Sequence, residues 1–254
     1  MNKTYVVNGA ARSGFGETTA RQLIRGGNKV IGLYAADDEE NARALEKELG
    51  SSNLEMILVD ITDLRDLKEK VLKINGPLNG FVNADFMFDM ENVEDFDYTN
   101  AEKLFRANYH APMLLAIELK KKMKKGSAIV IVTSTESERG SFGGISYAAS
   151  KAAVHNMIKS LACNWGKNEQ IRVNAVSAGW IGGEMDTDEV FNVSRNITPL
   201  GRLGRKEEVS DAVEFLLSEK ASFINAHVLF LDGGYLCVDD IAKFEFENLK
   251  KENG

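Results

Sequence analysis

Thr4-Tyr5-Val6-Val7, followed by Asn8-Gly9-Ala10-Ala11-Arg12-Ser13-Gly14-Phe15-Gly16, is the stretch on which the fold turns. A short apolar run ends in a glycine-rich loop, and the loop runs straight into an amphipathic pattern over Gly16–Arg25. That order predicts a strand, a tight turn and a helix. Gly9, Gly14 and Gly16 allow the turn and let the backbone approach a pyrophosphate seated on the helix N-terminus. Arg12, Ser13 and Phe15 lie in the same loop and join the candidate cofactor contacts.

Outward from this loop the same unit repeats. Strands are predicted at Thr4–Val7, Lys29–Tyr34, Leu54–Val59, Gly80–Asn83, Ala128–Thr133, Arg172–Val176 and Val228–Leu231. Between them helical patterns span Gly16–Arg25, Asp38–Leu49, Leu64–Ile74, Asn100–Lys125, Tyr147–Trp165 and Lys206–Ser218. Strand and helix in alternation imply a parallel sheet covered on both faces. No linker interrupts the pattern, so residues 1–254 read as one doubly wound α/β domain of Rossmann type. Two segments break the rhythm: an acidic insertion at Asp85–Thr99, and residues 182–198, which read as a substrate lid. Both follow the carboxyl ends of strands, where open α/β sheets bind ligands. A charged tail from about 242 to 254 carries Phe244 and Phe246 and reads as an interface cover or a disordered end.

Composition narrows the function. A formal net charge of −7 argues against a nucleic-acid surface, and 27% charged with 44% hydrophobic residues describes an ordinary globular chain. Cys163 and Cys237 read as buried thiols in a reducing compartment rather than a disulfide framework. His110, His155 and His227 lack metal-ligand spacing, so no metal is expected. No apolar run approaches the roughly 18 residues that span a bilayer, and no signal-peptide profile precedes Tyr5-Val6-Val7. The expected location is the cytoplasm, with no membrane partner.

Chemistry enters at Thr133-Ser134-Thr135 and Ser146-Tyr147-Ala148-Ala149-Ser150-Lys151. On a helix, Tyr147 and Lys151 at i,i+4 share a face, which puts an ammonium beside a phenol. Ser134, at a strand end, supplies a second hydroxyl. This is equipment for moving a proton to or from a carbonyl oxygen. Asp60, ending the third strand, is placed to meet an adenine ring, with a helix cap as its rival reading. Tyr34 stands where an acidic residue would favour the free ribose of NAD. Arg12 suits a 2′-phosphate, so NADPH is favoured over NAD, with Asp37 and Asp38 as opposing charges.

With the glycine loop, Asn108, Ser134, Tyr147 and Lys151 in this order, the chain resembles the short-chain dehydrogenases/reductases, up to about Tyr235. Arg172-Val173-Asn174-Ala175-Val176, Pro199-Leu200-Gly201-Arg202-Leu203-Gly204-Arg205 and Leu231-Asp232-Gly233-Gly234 match as well. The resemblance is strongest to the branch of 3-oxoacyl-[acyl-carrier-protein] reductases. It implies a seven-stranded sheet in the order 3-2-1-4-5-6-7 and a homotetramer. It also implies cofactor contacts at Asp60, Ile61, Asn83, Ala84, Gly179 and Ile181, in addition to Tyr147 and Lys151. Tyr147 would be the general acid, Lys151 its partner and the holder of the ribose hydroxyls, and Ser134 the hydrogen-bond donor to the carbonyl oxygen. Asn108 would fix a water in a proton relay; its rival reading is a polar helix residue bonded to backbone.

Departures from the family pattern stand beside these matches. Gly9 and Gly14 are spaced one residue wider than usual, so Ser13 is expected to bulge. The family's Asn-Asn-Ala-Gly at the end of the fourth strand is represented by Asn83-Ala84-Asp85-Phe86, without the glycine. Gly183 stands where a Thr often meets the carboxamide. The expected reaction is reduction of a ketone that is small-molecule, carrier-bound or peptide-bound. A 3-oxoacyl thioester would dock its carrier on Lys120-Lys121-Lys122 with Lys124-Lys125, although Glu169 counts against docking. The alternative is a tailoring reductase, whose acidic lid would suit a cationic substrate, and the remaining reading is a non-catalytic nucleotide-binding protein.

Overall fold

The computed structural model describes residues 2–183 and 187–252. Seven strands form one parallel sheet in the order β3-β2-β1-β4-β5-β6-β7. They are β1 (Thr4–Asn8), β2 (Lys29–Tyr34), β3 (Leu54–Leu58), β4 (Leu78–Asn83), β5 (Met123–Ser134), β6 (Arg172–Ala178) and β7 (Val228–Leu231). The helices are α1 (Phe15–Arg25), α2 (Glu39–Leu49), α3 (Leu64–Lys73), α4 (Tyr98–Phe105), α5 (Ala111–Lys120), α6 (Ile145–Glu169), α7 (Asp188–Ile197), α8 (Lys206–Leu217) and α9 (Asp240–Glu252). The predicted sheet and its order are borne out.

The two-residue alternation of a strand explains why helices cover both faces. Val6, Phe81, Ile129 and Ile131 point to one side, where Leu67 and Val71 of α3, Leu115 and Leu119 of α5, and Val154 and Ile158 of α6 meet them. Val7, Val82, Val130 and Val176 point to the other, against Ala20 and Leu23 of α1, Leu45 of α2, and Val209 and Val213 of α8. Each large side chain buried in this way contributes about 1.5–3 kcal/mol. The topology places β1 between β2 and β4, so a crevice opens beyond the carboxyl ends of β1 and β4. Asn8 and Asn83 are in register there, and Asn8 Nδ2 donates to Asn83 Oδ1 at 2.9 Å.

Several local expectations are corrected. The helix expected over Asn100–Lys125 is interrupted by a π-helical turn at Arg106–His110 and ends at Lys120. Met123 already pairs with Leu78 as the start of β5. Sheet pairing and Gly126, at φ 84°, override the helical preference of the lysines. The span 182–198 contains a helix: Thr187 Oγ1 caps α7 by accepting from Val190 N. The tail forms α9, and Lys243 donates to the Asn196 carbonyl of α7. Cys163 and Cys237 are free but exposed, contrary to the buried reading. Among the described residues no cluster of His, Cys, Asp or Glu is suited to a metal, and no helix is long and apolar enough to cross a membrane.

Candidate functional site

The loop after β1 shapes one wall of the crevice. Gly9 has φ 83° and Gly14 φ 129°, backbone states that side chains disfavour. A Cβ on Gly16 would sit 2.0 Å from the Gly9 carbonyl oxygen, so the turn closes only without one. Asn41 Nδ2 bridges the Ala11 carbonyl at 2.5 Å and Glu17 Oε2 at 3.1 Å, stapling the loop to α1. Ser13, the extra residue, is exposed. The N-cap of α1 is Gly14, which has no side chain to bond the first N–H groups, and Gly14, Phe15 and Gly16 border the crevice.

A cavity of about 880 Å³ runs from this loop to the segment after β6. Arg12, Ser13, Gly14, Phe15, Gly16, Ala84 and Ile181, all named from the sequence as candidate cofactor contacts, line it. Gly183 has nothing within 4 Å of where a Cβ would stand, which leaves the far wall open. The size, the helix N-terminus and the glycine cradle fit an extended dinucleotide. The cavity also takes in Phe86, Phe191, Arg195, Arg202 and Arg205, which sequence reasoning did not place there. Arg202 and Arg205 were visible as part of a family match, but nothing in the sequence showed that α8 would bring them beside the glycine loop.

Other expected contacts fall less simply. Asp60 is exposed and accepts from Thr62 N and Thr62 Oγ1, both at 2.7 Å. It makes a local turn, and Asp63 caps α3 instead. Ile61 packs into the core rather than lining the cavity. Tyr34 ends β2 partly buried, and Gly179 presses its backbone against Asp232, leaving no room for a Cβ. Asn83 Nδ2 donates to the Asp85 carbonyl at 3.1 Å.

Tyr147, Lys151 and Ser134 do come together. Tyr147 and Lys151 lie one turn apart on α6, with Lys151 Nζ 5.4 Å from the phenol ring centroid. Ser134 ends β5 close enough to the Tyr147 hydroxyl to draw its pKa down. Burial pushes the phenol up to about 12, while the Ser134 hydroxyl draws it back part of the way. Burial lowers Lys151 to about 8, against the opposing pull of Asp85. The rings of Phe86 and Phe88 stand 6.1 and 5.2 Å from that of Tyr147, each edge-on.

Asn108 sits in the π-helical turn with both ends of its amide committed to backbone. Its Oδ1 accepts from Met87 N and its Nδ2 donates to Met87 O, both at 2.8 Å. Its side chain therefore fixes the chain after β4 by bonding to backbone. The one-residue offset of the π turn aims it there, and no sequence spacing reveals that.

The fold and this constellation carry the family. A family model described as Enoyl-(Acyl carrier protein) reductase matches residues 9–236. The chain belongs to the short-chain dehydrogenases/reductases. It is an NAD(P)-dependent oxidoreductase of that family. The cis-4-hydroxycyclohexanecarboxylate dehydrogenase of Sinomonas cyclohexanicum is 33% identical over 247 residues, covering 92% of this chain and 96% of the relative. The 3-oxoacyl-[acyl-carrier-protein] reductase FabG of Rickettsia bellii is 31% identical over 247 residues, covering 93% and 98%. Among solved structures, that of BdcA in complex with NADPH is similar with a TM-score of 0.83 and 26% identity, covering 91% of this chain and 93% of that one.

Proposed function

We propose that this enzyme reduces a ketone to a secondary alcohol with NADPH, Tyr147 donating the proton. The observation that carries the reading is the meeting of Tyr147, Ser134 and Lys151 beside a cleft shaped for a dinucleotide. The bound cofactor supplies the hydride. Ser134 is placed to hydrogen-bond a carbonyl oxygen where negative charge develops. With its pKa near 12, Tyr147 is fully protonated at neutral pH, the state in which a general acid works. An alkoxide is more basic than a phenolate, so the proton moves downhill in the reductive direction. Lys151, one turn away, would hold the ribose hydroxyls and keep positive charge near the phenol. The NADPH-bound structure of the similar BdcA and the guanidinium of Arg12 support NADP over NAD.

The lysine run supports a substrate that arrives without a carrier protein. Lys120 pairs with Glu169, and Lys121 Nζ meets Glu118 Oε2 at 2.5 Å. Lys122 Nζ donates to the carbonyls of Val71, Leu72 and Ile74 at the end of α3. Three of the five lysines expected to dock a carrier are thus engaged within the fold. The case for a cationic substrate rested on lid carboxylates. Glu184 and Asp186 lie outside the described residues, Asp188 and Glu189 are exposed, and among the described lid residues the charged side chain lining the cavity is Arg195. A neutral or anionic ketone fits these groups better. A cytoplasmic homotetramer remains part of the reading, and light scattering of the purified protein checks the assembly.

The test is consumption of NADPH with acetoacetyl thioester and a panel of free ketones, with Tyr147→Phe beside the wild type. We expect turnover in the wild type and a loss of at least 10²–10⁴-fold in the variant, with cofactor binding retained. Near-normal turnover by Tyr147→Phe would overturn the assignment.

A further inference from the structure

The guanidinium that the glycine loop offers to a phosphate is already engaged. Arg12 Nη1 lies 3.1 Å from Asp85 Oδ1 and also donates to the Phe86 carbonyl. Its guanidinium carbon stands 4.5 Å from the centroid of the Phe86 ring. Arg12, Ala84 and Phe86 all line the same cavity. The contact therefore spans the cleft, from the wall made by the glycine loop to the wall made by the end of β4.

The two partners differ in freedom. The Asp85 side chain is 5% exposed, and the segment that carries it is held at three places. Asn83 Nδ2 holds the Asp85 carbonyl, Asp85 Oδ1 accepts from Phe86 N at 2.9 Å, and Asn108 holds both backbone groups of Met87. Gly9 faces it so closely that a Cβ there would stand 3.0 Å from Asp85 Cβ. The Arg12 side chain is 43% exposed and hangs from a loop. Arg12 is the arm and Asp85 the fixed catch. The Phe86 ring completes the closure, for it also neighbours Lys151 Nζ, 5.3 Å from its centroid, and the Tyr147 ring, 6.1 Å away.

We propose that Asp85 sets the affinity for dinucleotide: it holds Arg12 across the cleft, so any dinucleotide must displace the arm, which NADPH then draws onto its 2′-phosphate. This rests on the NADPH reading above. A guanidinium prefers a phosphate, which presents more charge and a matching pair of oxygens. Once Arg12 leaves, the carboxylate stays buried without its strongest partner, and that desolvation cost is charged against cofactor binding. Burial already raises the Asp85 pKa against the pull of Arg12 and Lys151. Asp38 is near enough to feel both Arg12 and Asp85, so the arm moves in a field of two carboxylates. The family pattern has alanine where Asp85 stands, and an alanine there would make no catch.

Fluorescence titration with NADPH and with NADH tests this on the wild type, Asp85→Asn and Arg12→Ala, with Tm recorded for each. Asparagine keeps the shape and the bond from Phe86 N but removes the charge. We expect Asp85→Asn to bind both dinucleotides about tenfold more tightly. Arg12→Ala opens the cleft but forfeits the phosphate contact, so NADH tightens while NADPH loses its advantage. Unchanged or weaker binding of NADPH by Asp85→Asn overturns the proposal. If that variant does not fold, Arg12→Ala decides, and NADH bound no more tightly than by the wild type overturns it. Indifference of all three proteins to both dinucleotides would sink the NADPH reading, and the arm with it.

Discussion

His155 Nδ1 lies 3.0 Å from Glu138 Oε1, joining α6 to the turn that follows Ser134. Nε2 of the same ring meets Thr133 Oγ1 at 2.8 Å and Ser137 Oγ at 3.3 Å, and Ser137 Oγ donates to the Ser134 carbonyl at 2.7 Å. A neutral imidazole that donates to Glu138 and accepts from Thr133 satisfies this network. One turn beyond Lys151, the ring thus braces the strand end that carries Ser134.

Burial lowers the His155 pKa below its ordinary value of 6.5, although Glu138 opposes the shift. In that window the unfolded chain binds more protons than the folded one, so stability falls as pH falls. The contribution is complete above about pH 6.5 and is lost on acidification through the folded-state value. The wild-type Tm should drop below that pH more steeply than the Tm of His155→Gln. Parallel curves for the two proteins would show that the imidazole is not buried neutral.

Lys151 makes an opposite end of the same experiment. Its pKa is lowered from 10.5 to about 8, chiefly by burial. Between those values the unfolded chain holds a proton that the folded one has released, so stability rises with pH across the interval. Replacing Lys151 with Met removes this rise, and the Tm difference between variant and wild type should change from pH 8 to 10.5. A constant difference would mean that the ammonium is better solvated than its position implies.

The lysine run separates into structural and free members. Lys122 satisfies three carbonyls at the C-terminus of α3, where cations are also favoured by the helix dipole. Lys122→Ala should cost about 1–2 kcal/mol in urea unfolding. Lys124 and Lys125 are exposed, so their replacement should stay within about 0.5 kcal/mol. Equal costs at both places would contradict the capping role.

The sequence by itself determined the strands and helices of a parallel sheet and the shared face of Tyr147 and Lys151, while the strand order came with the family resemblance. The elements and the shared face follow from short-range regularities. A two-residue alternation marks a strand, a 3.6-residue period marks a helix, and a four-residue interval stacks Lys151 on Tyr147. The strand at Val228–Leu231 is found where the pattern predicts it, and Gly9, Gly14 and Gly16 form the turn their spacing implies.

What only the tertiary structure decided depends on partners far apart in the chain. Asp85 meets Arg12 across 73 residues, and Lys120 meets Glu169 across 49. The π-helical turn that sends Asn108 to Met87 shifts the helical register by one residue, which no periodicity signals. Met123 gives up a helix to pair with Leu78, because a ladder of backbone hydrogen bonds outweighs the few tenths of a kcal/mol by which side chains prefer one state to another. Local preference is a property of a segment. The closing of the cleft by Arg12 and Asp85 is a property of two walls, which exist only once the sheet is assembled.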